Sequence, residues 1–389
     1  MGKKSWTLAD ADQGVYVEHL SLGPDDFGPA ATGCSVSKRE LHVGVRRGVD
    51  VIEVNNGALR LVVVPTRGMG IWRASLGAVQ LAWPSPVHGP VHPSLVRLWE
   101  PSGIGWLDGF DEMFVRCGLE SNGAPEFAAN GSLRYPLHGR IANTPAHKVE
   151  VHFDSDLGEI SVAGAVDEAR LFGNKLRLET TIATRIGAPW LRVTDRVTNL
   201  SACDGELELL YHVNFGSPLL TPGARVVLPA ARVAPRDAVA VGNVRDWDLY
   251  GPETPGAPEA VFFAELRADA AGQTRALLRG AAGTQGVSLK FNRRQLPCFT
   301  LWKNRMPAAD GYVTGLEPGI NFPNVKSFEK QQGRVAVLAP GESRLFELEL
   351  EAHPDAAAVA AAERAVAELQ AGAPPEILAA PDPVWSKIA

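Results

Sequence analysis

The sequence predicts an all-β protein, built from antiparallel sheets in a sandwich or barrel and followed by one helix. Apolar and polar residues alternate with a period of two along several stretches, as expected of strands with one buried and one exposed face. Turn-forming pairs such as Asn56-Gly57 and Pro340-Gly341 separate these stretches at intervals of roughly ten residues. No strand–helix rhythm is present, which argues against a parallel sheet.

Several stretches are predicted to be strands from their pattern alone. Residues 59–64 form a nearly continuous apolar run, which predicts a strand covered on both faces. In residues 174–185, Leu176, Leu178 and Ile182 share one face, while charged and polar residues share the other. The same alternation predicts strands over 148–153, 191–198 and 344–351.

One helix is predicted near the C-terminus. It begins at Pro354-Asp355, continues through an alanine-rich stretch and ends before Gly372. We expect residues 1–352 to form the β domain with an N-terminal extension, and residues 353–389 to form a helix and tail packed on that domain. The side chains expected to dock the helix are Val359, Val366 and Leu369.

A long segment without a clean period lies between the predicted strands. Residues 81–126 are rich in proline, glycine and tryptophan. We interpret them as ordered loops that cover one end of the sheets. Loops of this length in a compact domain are usually functional.

Composition and charge exclude several classes of function. The chain has 389 residues, with 38 Lys and Arg against 44 Asp and Glu, and this mildly acidic balance without a basic run disfavours nucleic-acid binding. No apolar window approaches the roughly 18 residues of a membrane helix, and the N-terminus lacks the apolar stretch of a secretory signal. The scattered cysteines suggest reduced thiols, and hence a cytoplasmic protein, instead of a disulfide framework or a metal site. They are Cys34, Cys117, Cys203 and Cys298.

Titratable residues and turn residues occur together in three segments. These segments are 135–140, 210–216 and 315–324. In the second, His212 and Asn214 lie two residues apart on a strand, so both project from the same face and can line a cavity. In the third, Glu317 ends an alternating run, and Pro318 fixes the backbone that follows it.

Taken together, the three segments resemble the galactose mutarotase-like superfamily, the aldose 1-epimerases, and within it a divergent branch catalogued as a domain of unknown function. The resemblance rests on Leu137-His138-Gly139, on His212-Val213-Asn214-Phe215, and on Leu316-Glu317 with Asn321-Phe322-Pro323-Asn324. It covers roughly residues 40–352. Arg140 stands where typical members often have a second glycine, and the early Asn-Arg sugar-binding segment has no clear match, with residues 115–123 as its candidate replacement. The identity of the sugar is therefore left open.

The resemblance implies an antiparallel β-supersandwich and an enzyme that interconverts the anomers of a free sugar or sugar derivative. It implies Glu317 as the base, His212 as the acid, and His138 as a residue that hydrogen-bonds a ring or anomeric oxygen. No cofactor or metal is expected, because positioned proton transfer is sufficient; the expected partner is a small carbohydrate, and the expected state is a monomer or homodimer. Because Trp302 alternates with Lys303, only one of the two can face the cavity, where a tryptophan could cover a sugar ring. The residues predicted to bind substrate hydroxyls are Arg67, Arg116, Asn122, Arg140, Asn214 and Lys303.

Other functions remain compatible with the sequence. The same fold occurs in lyases and glycoside hydrolases, and hydrolysis would require a second carboxylate near Glu317. A different sugar isomerisation by proton abstraction from carbon would use the same residues, whereas a non-catalytic carbohydrate-binding domain would need no acid–base pair. A metal-dependent isomerase of the cupin kind is disfavoured, because no His-x-His pair is present. Carboxylates that could partner Glu317 are Asp108, Asp111, Glu112, Glu120 and Glu126.

Overall fold

A computed structural model describes residues 2–387, and most of its regular structure consists of strands. The strands are β1 (Lys3–Asp10), β2 (Val15–Tyr16), β3 (Leu20–Leu22), β4 (Cys34–Leu41), β5 (Val49–Asn56), β6 (Leu59–Val64), β7 (Gly70–Leu76), β8 (Val79–Gln80), β9 (Phe114–Leu119), β10 (Glu126–Phe127), β11 (Leu133–Tyr135), β12 (Lys148–Asp154), β13 (Glu159–Ala169), β14 (Lys175–Arg185), β15 (Trp190–Asn199), β16 (Gly205–Phe215), β17 (Arg225–Val227), β18 (Ala230–Pro235), β19 (Ala260–Leu266), β20 (Gln273–Arg279), β21 (Gly286–Asn292), β22 (Cys298–Asn304), β23 (Val313–Gly319), β24 (Ala336–Leu338), β25 (Ser343–His353) and β26 (Glu376–Ile377). The α-helices are α1 (Pro24–Phe27), α2 (Ala238–Val241), α3 (Lys326–Gln331) and α4 (Ala356–Gln370).

The strands form two large sheets. The ten-stranded sheet has the order β17-β20-β21-β25-β15-β14-β13-β12-β1-β2. The larger sheet runs β26-β18-β19-β22-β23-β16-β9-β7-β6-β5-β4-β3, with β8 beside β7 and β24 beside β16, while β10 and β11 form a separate hairpin. Neighbouring strands are antiparallel apart from β18 and β26. The predicted all-β, antiparallel supersandwich is confirmed.

The main hydrophobic core takes side chains from both sheets. Ile182 and Val193 come from the ten-stranded sheet, and Leu61, Leu209 and Val213 come from the larger one. All are buried, as expected when alternate residues of facing sheets interdigitate. Residues that alternate with them on the larger sheet therefore point away from this core.

The alternating stretches predicted as strands are confirmed, with shifts of a few residues at their ends. They appear as β12, β14, β15 and β25, which are consecutive neighbours or near neighbours in the ten-stranded sheet. The prediction that residues 59–64 are covered on both faces is wrong at Arg60, which is exposed, because one face of β6 opens to solvent there.

The segment 81–126 is mostly irregular, as predicted, but it also contains a strand that the sequence did not reveal. Strand β9 (114–119) pairs with β16 in the middle of the larger sheet. Every residue of β9 is buried, so it shows no alternation of polar and apolar side chains.

Helix α4 begins and ends close to the predicted positions. The Asp355 side chain accepts a hydrogen bond from the Ala358 backbone N–H at 2.8 Å, and Ala371 adopts a left-handed conformation just past the last turn. Ala362 and Val366 are buried against Leu277 of β20. Within residues 2–387, no helix is both long and apolar enough to cross a membrane.

Candidate active site

Three neighbouring strands of the larger sheet place the site residues in one row. Strands β22, β23 and β16 are adjacent, and Thr300 of β22 pairs directly with Glu317 of β23. Between β23 and β16, Leu316 pairs with Val213, so the antiparallel register sets His212 opposite Glu317. Because Leu316 and Val213 belong to the core, these polar neighbours project from the outer face of the sheet.

Two loops close over this row and turn it into a cavity of about 320 Å³. Residues 104–110 contribute Trp106 and Phe110, and the segment after β11 contributes His138. Trp302 lines the cavity, so it is this residue, and not Lys303, that faces it. Further apolar lining comes from Ile104, Leu107, Leu137 and Val261.

His212 and Glu317 form a buried acid–base pair at the floor of the cavity. The Nε2 atom of His212 lies 3.2 Å from Oε1 of Glu317. On the other side of the ring, Nδ1 lies 2.6 Å from Oδ1 of Asn214, whose amide group donates to the backbone oxygens of Glu112 and His212. Since the Asn214 oxygen can only accept, Nδ1 carries a proton and Nε2 faces the carboxyl group.

Burial disfavours the charged form of both members of this pair. Desolvation holds the pKa of Glu317 well above its usual range, and the nearby Glu259 raises it further. Desolvation also lowers the pKa of His212 well below its usual range, and the neighbouring His138 acts in the same direction. The favoured state is thus a neutral imidazole beside a protonated carboxyl group, and its tautomer is the imidazolium–carboxylate pair.

His138 lies beside this pair, with its ring centre 5.5 Å from that of His212. Its Nδ1 lies 2.9 Å from the backbone oxygen of Asn122 and donates to it, which leaves the Nε2 lone pair free. Burial lowers the pKa of His138 to about 4. At neutral pH, the Nε2 atom of His138 can therefore accept a hydrogen bond but carries no proton to donate.

Gly315 provides the space that the Glu317 carboxyl group occupies. A Cβ atom at Gly315 would lie 2.3 Å from Oε1 of Glu317 and 3.0 Å from Cε1 of His212. We expect Gly315→Ala to displace this carboxyl group and to lower turnover by on the order of tenfold or more, because small misplacements of reacting groups are costly. The measurement is the rate of anomer exchange, which is the activity that the sequence resemblance implies, with circular dichroism to verify folding. Gly23→Ala is the control, since Gly23 has open space around it and an ordinary extended backbone; an unchanged rate for Gly315→Ala would contradict this prediction.

Two of the predicted substrate-binding residues hold the two histidines of the cavity on the side away from the cavity. Asn214 holds Nδ1 of His212, as described above. Asn122 offers its backbone oxygen to His138, while its side-chain amide donates to Oδ1 of Asn321 at 2.8 Å. Both asparagines are fully buried and do not line the cavity, so this geometry gives them positioning roles in place of hydroxyl binding.

The predicted cationic ligands lie elsewhere in the fold. Arg67 is buried against Glu112, and Arg116 binds Asp195 of the facing sheet, with Nε 2.5 Å from Oδ2. The Lys303 ammonium donates to three backbone oxygens between 2.8 and 2.9 Å, and burial lowers its pKa to about 7. Arg140 lies near Glu120 and Glu168 and lines a different groove. Each of the four cations thus lies beside carboxylate or carbonyl oxygens of the protein, and none of the four residues lines the cavity.

The carboxylates proposed as partners of Glu317 also lie outside the cavity lining. Asp111 accepts from the Trp72 indole at 2.5 Å, and Asp108 pairs with Arg97 near the surface. The second carboxylate that does line the cavity is Glu259, which the sequence did not single out. The other proposed partners, Glu112, Glu120 and Glu126, pair with Arg67, Arg140 and Arg134 respectively.

Three polar atoms of the cavity-lining residues have no hydrogen-bond partner in the part of the chain that the structure describes. One is Oε1 of Glu317, which faces Nε2 of His212. The other two are Oγ1 of Thr300 and Nε1 of Trp106, and both of these residues are about 1% exposed. Sequence reasoning missed both residues, because a threonine in a strand and a tryptophan in a loop are most often packing residues. A buried donor or acceptor without a partner in the wall of a cavity is a natural contact for a ligand.

The supersandwich fold, with this His–Glu pair on the outer face of its larger sheet, defines a protein of the galactose mutarotase-like class. Within that class, the chain belongs to the family described as "Domain of unknown function (DUF4432)", whose model matches residues 46–352. The fold and the resemblance predicted from the sequence are both confirmed.

Solved structures agree with this assignment. A "putative aldose 1-epimerase" from Klebsiella pneumoniae subsp. pneumoniae MGH 78578 is 34% identical, with 96% of this chain and 98% of that chain covered and a TM-score of 0.92. Two other structures share the fold. A galactose mutarotase-like protein from Clostridium acetobutylicum is 14% identical, with 82% of this chain and 98% of that chain covered and a TM-score of 0.55. Galactose 1-epimerase from Lactobacillus acidophilus NCFM is 11% identical, with 82% of this chain and 98% of that chain covered and a TM-score of 0.53. Among curated proteins, none matches the chain in sequence.

Proposed function

We propose that this protein is an aldose 1-epimerase-type isomerase that interconverts the α and β anomers of a free aldose. The observation that carries the proposal is the buried His212–Glu317 pair, whose Nε2 and Oε1 atoms lie 3.2 Å apart at the floor of a cavity of about 320 Å³. The 34% identity to a protein described as a "putative aldose 1-epimerase" supports the same class of reaction.

The chemistry requires only proton transfers at two oxygens bonded to the same carbon. The Glu317 carboxylate removes the proton of the anomeric hydroxyl while protonated His212 delivers a proton to the ring oxygen, and the bond between the anomeric carbon and the ring oxygen breaks. The resulting aldehyde rotates about its bond to carbon 2. The same steps then run in reverse, and the ring closes on the other face of the aldehyde. His212 takes back its proton from the hydroxyl that the ring oxygen became, and Glu317 returns its proton to the aldehyde oxygen.

This cycle keeps the number of protons on the pair constant. The pair begins as imidazolium and carboxylate and becomes imidazole and carboxylic acid in the open-chain state. The neutral form that burial favours is therefore an intermediate of the cycle, and it differs from the working form by one proton transfer across 3.2 Å. Neutral His138 accepts a hydrogen bond from a sugar hydroxyl and cannot serve the ring oxygen, which has no proton to donate.

Hydrolysis is less well supported by the same geometry. A glycosidase would use two carboxyl groups with free oxygens on either side of the bond. In the cavity, Oε2 of Glu259 accepts from the Trp302 indole at 2.7 Å, and Oε1 accepts from Arg236 at 3.1 Å. Each oxygen of this carboxylate thus accepts a hydrogen bond from another cavity side chain, and these contacts favour a role for Glu259 in holding Trp302 and Arg236.

The proposal is tested by following anomer exchange on freshly dissolved D-galactose, D-glucose, D-xylose and L-arabinose. We expect the protein to accelerate equilibration of at least one of them over the spontaneous rate, as measured by polarimetry and by NMR saturation transfer between the two anomeric protons. Chelation should leave the rate unchanged, because the proposed steps use only protein side chains. Binding of these sugars without any acceleration would contradict the proposal and favour the carbohydrate-binding alternative.

A further inference from the structure

We infer that Thr300 is a specificity-determining residue that binds the hydroxyl group on carbon 2 of the sugar, next to the anomeric carbon. This inference rests on the proposed function and deepens it, because it defines the substrates as aldoses with a free hydroxyl at that position. It would exclude 2-deoxy sugars from efficient turnover.

The first argument is the state of the Thr300 hydroxyl. Its side chain is about 1% exposed and lines the cavity, yet Oγ1 has no hydrogen-bond partner within residues 2–387. A hydroxyl is both a donor and an acceptor, so it complements another hydroxyl in either direction. Leaving a buried hydroxyl unpaired is unfavourable, whereas a bound hydroxyl would satisfy it.

The second argument is its position in the row of polar side chains. Thr300 pairs with Glu317, and Glu317 lies opposite His212, so the order across the sheet is Thr300, Glu317, His212. Directly paired residues of antiparallel strands have Cβ atoms about 5 Å apart. Thr300 therefore lies one strand beyond Glu317, on the side away from His212.

The proposed roles of the pair orient the sugar along this row. If His212 faces the ring oxygen and Glu317 faces the anomeric hydroxyl, the next substituent on the Glu317 side is the hydroxyl of carbon 2. This is the group that reaches Thr300. The apolar neighbour Val261, on the adjacent strand β19, has no atom that could bind it instead.

The test compares sugars with and without the hydroxyl on carbon 2, and proteins with and without the hydroxyl at position 300. Wild-type protein, Thr300→Val and Thr300→Ser would each be assayed for anomer exchange with D-galactose and 2-deoxy-D-galactose, and with D-glucose and 2-deoxy-D-glucose. In wild type we expect kcat/KM for a parent sugar to exceed that of its 2-deoxy analogue by about tenfold. Thr300→Val, which keeps the shape and loses the hydroxyl, should bring this ratio close to one, and Thr300→Ser should preserve it.

Thr274→Val is the matched control. Thr274 is also a buried strand threonine, but it lies in β20 of the other sheet and donates to the Arg267 backbone oxygen. It should affect stability and leave the ratio of the two sugars unchanged. A Thr300→Val protein that exchanges the parent sugar and retains the wild-type ratio would overturn the inference and leave the proposed function intact. If wild-type protein accelerates none of D-galactose, D-glucose, D-xylose and L-arabinose, the proposed function fails and this inference fails with it.

Discussion

Replacing Glu317 with glutamine is expected to lower the turnover number for anomer exchange by on the order of 100-fold or more. Glutamine keeps the shape of the side chain, and its amide can donate to Nε2 of His212 across the same 3.2 Å contact. It has no site that takes up a proton at neutral pH, so the anomeric hydroxyl loses its base. Sugar affinity should change little, because the lost interaction belongs to the transition state.

The measurement combines NMR saturation transfer for the rate with a sugar titration for the affinity. Glu168→Gln is the control for neutralising a buried carboxyl group. The Glu168 carboxylate accepts hydrogen bonds from the backbone N–H groups of Leu119 and Glu120, and Glu168 does not line the cavity. That variant should lose stability and keep its turnover number. If Glu317→Gln exchanges anomers at nearly the wild-type rate, the base is another group and the proposed mechanism is wrong.

Strand alternation predicted much of the architecture and failed where alternation is absent. Strands β14, β15 and β25 each have one core face and one more polar face, so their pattern is visible in the sequence. Strand β9 is buried on both faces, and it carries Arg116 into the core as the partner of Asp195. A period-two pattern cannot reveal such a strand, because both faces meet protein.

The sequence motifs located the centre of the site but not its walls. His138, His212 and Glu317 belong to three ordered segments, and the structure brings them to one cavity. Trp106 and Thr300 join them only through the path of a loop and the pairing of two strands. Neither the path of the loop nor the pairing of the strands can be predicted from the residues that flank Trp106 and Thr300.

Positive charge in the sequence does not identify which residues line the cavity. Arg67 and Lys303 are among the residues predicted to bind substrate hydroxyls, and both are held by internal carboxylate or carbonyl oxygens. Buried ion pairs and ligand-binding cations have the same residue types in sequence. They differ only in whether protein oxygens already surround the cation, which depends on long-range contacts such as that of Arg67 with Glu112.

Replacing His212 with asparagine is expected to lower turnover by on the order of 100-fold as well, because the ring oxygen then loses its proton donor. The residual activity should depend on pH in a defined direction. Without the histidine, the rate requires ionised Glu317, whose pKa burial holds well above its usual range. The residual rate should therefore rise as pH increases through that pKa, while wild type keeps a plateau over which the pair holds one proton. Rates measured from pH 5 to pH 9 in one buffer series would show this, and a residual rate that falls with increasing pH would contradict it.

The double variant distinguishes a coupled pair from two independent groups. If His212 and Glu317 pass one proton between the two oxygens of the anomeric carbon, either substitution alone already breaks the cycle. His212→Asn combined with Glu317→Gln should then be about as slow as the slower single variant, because residues that act as a unit are not additive. Independent contributions would multiply to a loss on the order of 10⁴-fold. The rate of the double variant relative to the two single variants, measured on the same sugar at the same pH, is therefore the decisive quantity. Full multiplication would mean that the 3.2 Å contact carries no proton coupling and that each group serves its oxygen alone.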